Sequence, residues 1–195
     1  MYYVLRCLPP LNEKGEALME IHNCFDVGSI WDWQDGQALT AEERNFPVPI
    51  EIEFQPFRGY SGAPVELRDV CIPLMSVRLA EAVAAAGVDN VDFFPAVLRN
   101  TVSGQTYDYR AYKIIGMIAA ADLQKSEWSS YDGKPVADVS FESLVLDENR
   151  PRGLPMFRLA EKASAVVVHE RVKQVIEARG IDTIEFVKPE EWVHL

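Results

Sequence analysis

The hydrophobic and polar positions of the chain predict β-strands in its first third. Residues 2–8, YYVLRCL, are rich in β-branched and aromatic side chains and precede two prolines, so we expect an opening strand that ends there. Residues 50–57, IEIEFQPF, alternate with a period of two, with Ile50, Ile52 and Phe54 on one side and Glu51 and Glu53 on the other. This alternation predicts a half-buried strand. The intervening residues 11–48 are turn-rich and predict short irregular elements.

A stretch in the middle of the chain recurs near its end. Residues 74–94, LMSVRLAEAVAAAGVDNVDFF, align without a gap with residues 167–187, VVHERVKQVIEARGIDTIEFV. The identical pairs are Arg78/Arg171, Ala85/Ala178, Gly87/Gly180, Asp89/Asp182 and Phe93/Phe186. Two copies do not make a solenoid. The recurrence therefore predicts a duplicated supersecondary unit, spanning approximately residues 70–95 and 164–188.

Each copy is predicted to fold as a strand, a helix and a second strand. Apolar residues recur at helical spacing in both copies, and we expect the resulting face to be buried core: it contains Leu79, Val83, Val172 and Ile176. Ser76 is the expected N-cap of the first helix, and His169 occupies the matching position in the second. Gly87 and Gly180 are expected to end the two helices in the left-handed conformation.

The remaining apolar runs predict further strands, at 107–119 and 139–146. No stretch divides the chain into separate parts, so we expect one α+β domain over residues 1–195. That domain combines two related strand–helix–strand units with additional, mostly antiparallel strands. No apolar run reaches the roughly 18–20 residues that span a bilayer, and the N-terminus lacks the features of a signal peptide. We therefore expect a cytoplasmic protein that does not bind membranes.

The charge of the chain argues against a general nucleic-acid binder. The formal net charge is −11, whereas nucleic-acid binding requires a basic surface. The acids are concentrated in residues 26–56, which contain seven of them against a single base, Arg44. This bias suggests a partner with a basic surface, although solubility alone also explains an acidic surface.

Residues suited to catalysis, metal binding or cofactor binding are scarce. The three cysteines are widely spaced and form no Cys-x-x-Cys pair, which favours reduced, buried thiols over a zinc site or a disulfide framework. Ser61 in GYSGA lacks the second glycine of a nucleophile elbow, and Lys173 stands where a zinc-protease helix would need a histidine. Asp122 and Ser126 are spaced to hold a loop or start a helix. We predict no catalytic residue, no metal ligand and no cofactor, and hence a protein that is not an enzyme.

Several segments, in order, resemble a bacterial immunity-protein family. They are YYVLR at the start, LMSVRLAEAV with AGVDNVDFFP, ADLQKSEW, and the closing MFRLAEKASAVVVHERVKQVIEARGIDTIEFVKPEEW. The chain resembles immunity family eleven of the polymorphic toxin systems, long catalogued as a domain of unknown function, from Tyr2 to Pro189. The closing part is the most specific, with Phe157-Arg158 before an apolar strand. The resemblance implies that the protein binds and neutralises a cognate toxin made by the same cell; it transfers no binding residues.

The expected partner-binding surface is the acidic and aromatic stretch 26–54, centred on SIWDWQDG. Its predicted contact residues are Trp31, Asp32, Trp33, Asp35, Glu42 and Glu43. Tryptophan is enriched among residues that dominate interface energy, and carboxylates steer a basic partner. In an extended segment, Trp31 and Trp33 would face one way and Asp32 the other; in a loop, one indole could anchor the core while the other stays available. In the alternative interpretation both indoles belong to the core and the acids are solvated surface. The alternative function is a non-catalytic structural or regulatory module of unknown partner, with the duplicated unit forming a dimer interface.

Overall fold

Thirteen strands and three short helices make up the described part of the protein, which is mostly β-sheet. The computed structural model describes residues 1–8, 10–22, 30–57, 60, 64–69, 72–131, 133–135 and 138–193, and at residues 30 and 31 the description covers the backbone. The strands are β1 (Tyr2–Cys7), β2 (Met19–His22), β3 (Ile50–Pro56), β4 (Leu67–Arg68), β5 (Leu74–Ser76), β6 (Val91–Asn100), β7 (Thr106–Ile114), β8 (Met117–Ile118), β9 (Glu127–Ser129), β10 (Ser140–Ser143), β11 (Met156–Leu159), β12 (Lys162–His169) and β13 (Ile184–Val187). The helices are α1 (Ile30–Gln34), α2 (Val77–Ala85) and α3 (Glu170–Ala178), and a 3-10 turn follows at Pro189–Glu191.

The strands form two large sheets and one small one. The five-stranded sheet has the order β13-β1-β12-β11-β8, and the six-stranded sheet has the order β2-β3-β6-β7-β5-β4. β9 and β10 pair with each other. Neighbouring strands are antiparallel except for β3 with β6 and β8 with β11, which are parallel. The described residues form one compact domain in which strands outnumber helices, a composition compatible with the expected α+β class.

The two longer helices occupy equivalent places in the order of elements. α2 connects β5 to β6, and both strands are antiparallel neighbours of β7. α3 connects β12 to β13, and both are antiparallel neighbours of β1. In each sheet, therefore, two parallel strands joined through a helix are separated by one antiparallel strand, as in a split βαβ arrangement.

The ends of these helices are stabilised as the sequence predicts. The Ser76 hydroxyl accepts a hydrogen bond from the Leu79 amide at 3.0 Å, and the His169 side chain accepts one from the Arg171 amide at 3.2 Å. Both contacts satisfy an amide that has no partner within its helix. Gly87 and Gly180 follow the helix ends with φ of 76° and 66°, so the predicted left-handed positions are confirmed.

Three clusters of apolar side chains form the interior. The first lies between the two large sheets and contains α2, α3 and residues of both sheets. The second covers the outer face of the five-stranded sheet, and the third covers the outer face of the six-stranded sheet. The predicted helix face is confirmed as core, because Leu79, Val83, Val172 and Ile176 are at most 1 % exposed. Ile50, Ile52 and Phe54 on β3 are equally buried, as the alternation of residues 50–57 predicts.

Some expectations are corrected or lie outside the described residues. Cys7 is a free thiol, as expected, but it is only half-buried. Cys24, Cys71 and Ser61 lie outside the described residues. Asp122 and Ser126 do not start a helix: they belong to a turn in which Ser126 bonds the backbone of Val145. Within the described ranges, no helix has the length and apolar character needed to cross a membrane.

Candidate partner-binding surface

Residues 30–46 cover part of the outer face of the six-stranded sheet. The segment starts with α1, a helix of five residues, and continues in turns to Phe46. The expected extended or loop conformation around residues 29–36 is therefore wrong for residues 30–34. In a helix, residues two apart do not share a face, so the expectation that an extended chain would turn both indoles the same way fails with it.

Trp33 belongs to the core. Its side chain is 1 % exposed, and its ring packs against Phe46 and Phe94 with centroid distances of 5.8 and 5.7 Å. Three mutually contacting aromatic rings bury a large apolar area and fix the helix to the sheet. In this conformation Trp33 offers no surface to a partner, in agreement with the alternative, core, interpretation of the indoles. The side chain of Trp31 lies outside the described part.

Asp32 and Asp35 hold a buried cation. The Lys113 side chain on β7 is 1 % exposed, and its ammonium group donates to the Asp32 carbonyl and to Asp35 Oδ1, the latter at 2.6 Å. A buried charge is tolerated only when it is paired and hydrogen-bonded. Asp35 is 45 % exposed, so the same carboxylate pairs with the buried lysine and remains accessible at the surface. Asp32 is half-buried.

Glu42 and Glu43 lie in the turn that follows. Glu43 forms a reciprocal pair with Thr40: its carboxylate accepts from the Thr40 amide at 2.7 Å, and its own amide donates to the Thr40 hydroxyl at 3.2 Å. The backbone hydrogen bond from Thr40 holds the pKa of the Glu43 carboxyl below its ordinary value, so Glu43 keeps its negative charge at neutral pH. Glu42 is exposed.

Two neighbouring residues on β6 and β7, Asp92 and Lys113, form ion pairs with both parts of this segment. Asp92 and Lys113 are directly opposite in the register of these strands. Lys113 binds Asp35, while Asp92 binds Arg44 at 3.0 Å. Arg44 also donates to the Leu39 carbonyl at 3.0 Å, and its guanidinium lies 5.8 Å from the centre of the Phe94 ring.

Arg44 forms its ion pair with Asp92, which lies outside the acidic segment, whereas Asp35 is paired with Lys113. We call the surface of Asp32, Asp35, Glu42 and Glu43 the acidic cap.

Lys113 is the residue that sequence reasoning missed. The pattern around it contained a signal, because Tyr109, Ala111 and Lys113 share one face of a strand and the first two are buried. A lysine at an inward-facing position implies a buried acidic partner. The sequence does not reveal which acid provides it, since Asp35 is 78 residues away along the chain.

The remaining chemical candidates serve the structure. His169 caps α3, and Asp122 bonds Lys125 at 2.7 Å within a turn. Among the described residues, no three His, Cys, Asp or Glu side chains are grouped so that they could hold a metal ion.

The chain matches a known protein family. Residues 9–191 match the family model described as Immunity protein family (Imm11), which is nearly the whole chain. A search of curated protein sequences finds no match.

Proposed function

The chain belongs to the Imm11 immunity protein family, and from this premise we propose that it binds and neutralises a cognate bacterial toxin through a stoichiometric protein–protein contact. Toxin immunity in general follows from the family, whose members are non-catalytic, so the chain is not an enzyme. The match over residues 9–191 is the observation that carries the proposal. Inhibition by binding requires an exposed surface complementary to the toxin rather than a reactive group.

The toxin is proposed to carry a basic surface that meets the acidic cap. The net charge of −11 and the exposed carboxylates of Asp35, Glu42 and Glu43 support this view. Opposite charges on two partners raise the rate at which they meet and suppress contacts with other proteins. Asp32 and the backbone of Trp31 belong to α1, whereas the buried Trp33 anchors this helix to the sheet. The same negative charge supports the proposal that the protein binds neither nucleic acid nor membranes. We further propose that it acts in the cytoplasm.

Co-expression with a neighbouring toxin gene tests this function. The toxin domain encoded beside the gene for this chain is produced with and without the chain, and cell survival and co-purification are measured. We expect survival only when both are produced, and a complex of fixed stoichiometry on a sizing column.

Survival without a complex would contradict inhibition by direct binding. Absence of both effects, together with a self-associated chain in sedimentation experiments, would instead favour a structural or regulatory module.

The two strand–helix–strand segments are proposed to be copies of one ancestral unit. The aligned identities and the matching order of strands around β7 and β1 support this. An experimentally determined structure provides the test: Cα atoms of residues 74–94 should superimpose on those of 167–187 with Gly87 on Gly180. Helices that cross their sheets in different directions would contradict the duplication.

A further inference from the structure

The pairing between β1 and β12 includes four of the six residues of β1 and four of the eight residues of β12. Tyr2 lies opposite His169, and the register continues to Leu5 opposite Val166. Beyond this point β1 continues to Cys7, paired only with β13 on its other side. β12 likewise extends back to Lys162, which pairs with Leu159 of β11 after a shift of register that skips residues 163–165. The five-stranded sheet is therefore open between the end of β1 and the beginning of β12.

The direction of the backbone groups at this opening follows from neighbouring hydrogen bonds. In a strand, successive residues direct their N–H and C=O groups to opposite sides. The Leu8 amide donates to Thr183, on the β13 side, so Cys7 faces the opening. The His169 amide donates to Pro155, on the β11 side, so Val168 and Val166 face β1. Next to Ser164, the Ala163 carbonyl accepts from the Arg158 side chain on β11, so Ser164 also faces β1. Cys7 and Ser164 thus direct backbone groups towards the opening.

A cavity of about 570 Å³ occupies this place. Its walls include residues 4–7 of β1, Ser164–Val166 of β12, Leu67–Asp69 from the edge of the six-stranded sheet, Ala17 and Trp192. We call this opening the notch. Its volume lies within the range of roughly 300–1,000 Å³ that is typical of ligand sites. Its lining combines apolar side chains, the charged residues Arg6, Arg68 and Asp69, and the backbone edges of two strands. The Cys7 thiol donates to the Leu67 carbonyl at 2.6 Å and so links two walls of the notch.

One wall of the notch is held in place by a buried ion pair. Arg158 on β11 is fully buried and donates to both Asp69 carboxylate oxygens, at 3.0 and 2.9 Å. The Tyr112 hydroxyl on β7 donates to the same carboxylate at 2.9 Å. Burial and the adjacent Asp69 carboxylate both raise the pKa of Tyr112, so its hydroxyl stays protonated as a donor. These contacts join the two sheets beside the opening, which makes the notch a preformed feature.

We propose that the notch receives an extended segment of the cognate toxin, which adds a strand between β1 and β12. The inference rests on the proposed function and specifies how the partner is held. An extended polypeptide is the occupant whose chemistry fits, because it presents N–H and C=O groups in alternation to both edges. Between two antiparallel strands, the added strand runs antiparallel to one and parallel to the other. Its alternate side chains would contact Leu5, Leu67 and Val166 on one side of the sheet.

Amide hydrogen exchange at single residues tests this directly. Exchange is measured by NMR for the free chain and for its complex with the catalytically inactivated toxin domain encoded by the neighbouring gene. The Cys7 and Ser164 amides should exchange rapidly in the free protein and at least about tenfold more slowly in the complex. Arg6, whose backbone groups face β13, is the matched control, because its amide should change little.

The results distinguish a failure of this inference alone from a failure of the proposed function. A complex in which Cys7 and Ser164 keep their free exchange rates would overturn the notch while leaving toxin binding intact. Protection of both amides in the free protein would show that the notch is already closed or filled, and would also overturn it. Absence of any complex would overturn the proposed function and this inference together.

A blocking variant provides the second measurement. Ser164 is exposed and lines the notch, so Ser164→Trp should fill it and raise the dissociation constant of the toxin complex at least about tenfold. Ser164→Ala keeps the space open and should bind normally. Ser129→Trp places the same indole on the exposed, separate strand β9 and should also leave binding unchanged. Equal affinity of Ser164→Trp and Ser129→Trp, with both variants folded by circular dichroism, would contradict the proposal.

Discussion

The ion pair between Asp35 and Lys113 shows how a carboxylate at the surface stabilises a buried cation. Asp35→Asn removes the charge 2.6 Å from the buried ammonium group and leaves that cation without an anionic partner. We expect the free energy of unfolding to fall by about 1–3 kcal/mol, below the cost at a fully buried pair because Asp35 is half-exposed. Glu42→Gln, on the same cap, should change it by less than about 0.5 kcal/mol. Urea unfolding measures both, and equal stabilities would contradict the role given to Asp35.

Gly36 is constrained by backbone conformation and by space. Its φ is +76°, and a β-carbon there would lie 2.7 Å from Met117 Cβ and 2.9 Å from the Met117 nitrogen. Gly36→Ala should therefore destabilise the fold more than Gly104→Ala, which has a similar φ of +74° but no atom within 4 Å of the added carbon. We expect a difference of roughly 1–3 kcal/mol in unfolding free energy. Equal losses in the two variants would show that Met117 moves aside freely.

Residues with local roles could be predicted, whereas residues paired across the fold could not. Ser76, Gly87 and Gly180 act within a few positions along the chain, so their spacing in the sequence was sufficient. Lys113 and Arg158 depend on acids 78 and 89 positions away. A single sequence contains no information on which distant carboxylate pairs with a buried cation, because every acid is chemically equivalent until the chain has folded.

At the scale of elements, the cap of α3 introduces a dependence on pH. His169 accepts a hydrogen bond from the Arg171 amide, which only the neutral imidazole can do. Desolvation, followed by the N-terminal amine and Arg171, lowers the pKa of His169 below its ordinary 6.5. The unfolded chain therefore binds the proton more readily. The stability that this cap contributes is complete above about pH 6.5 and is lost as the pH falls through the lower, folded-state pKa.

The variant His169→Ser replaces this cap with the residue that α2 uses. Serine caps equally well but does not titrate in this range. Between about pH 7.5 and 5.5, unfolding free energy should therefore fall less in His169→Ser than in the unaltered chain. Denaturant unfolding at the two pH values gives the comparison. Equal losses in both proteins would show that protonation of His169 is not coupled to folding.

Elements whose hydrophobic residues recur at a regular spacing could be predicted, and the shortest elements could not. The alternation of residues 50–57 and the helical spacing of α2 and α3 reflect faces that contain the buried residues of each element. α1 has only five residues, too few for a period to be recognised or for a helix to be stable alone. Its conformation depends on Trp33 and Lys113, that is, on the sheet beneath it.

At the scale of the whole molecule, the arrangement of the two sheets could not be predicted from their strands. The sequence predicted mostly antiparallel pairing, but β3 lies parallel to β6, a strand that starts 35 residues after β3 ends. Such pairings depend on how the hydrophobic faces of all elements fit together. The opening between β1 and β12 could not be predicted for the same reason. Both strands are strongly apolar, and nothing in the pattern of either indicates that their pairing ends at Leu5 and Val166.

The negative charge of the whole surface should raise the rate at which the protein associates with a basic toxin. Reversing all four acids of the acidic cap would confuse binding with stability, because Asp35 and Asp32 hold Lys113 and Glu43 pairs with Thr40. Glu42→Lys changes the electrostatic field of the acidic cap at an exposed position. With a basic toxin, we expect its association rate at low salt to fall about two- to tenfold, and its salt dependence to weaken.

The matched control is Glu127→Lys, which makes the same charge change on exposed β9. Since both variants alter the net charge equally, a lower rate specific to Glu42→Lys would place the toxin near the acidic cap rather than reflect total charge. At about 1 M salt, where the Debye length is about 3 Å, the two variants should associate at similar rates. Stopped-flow measurements at both salt concentrations give the association rates of the two variants and of the unaltered chain. Rates for Glu42→Lys that equal those of the unaltered chain at both concentrations would remove the acidic cap from the interface.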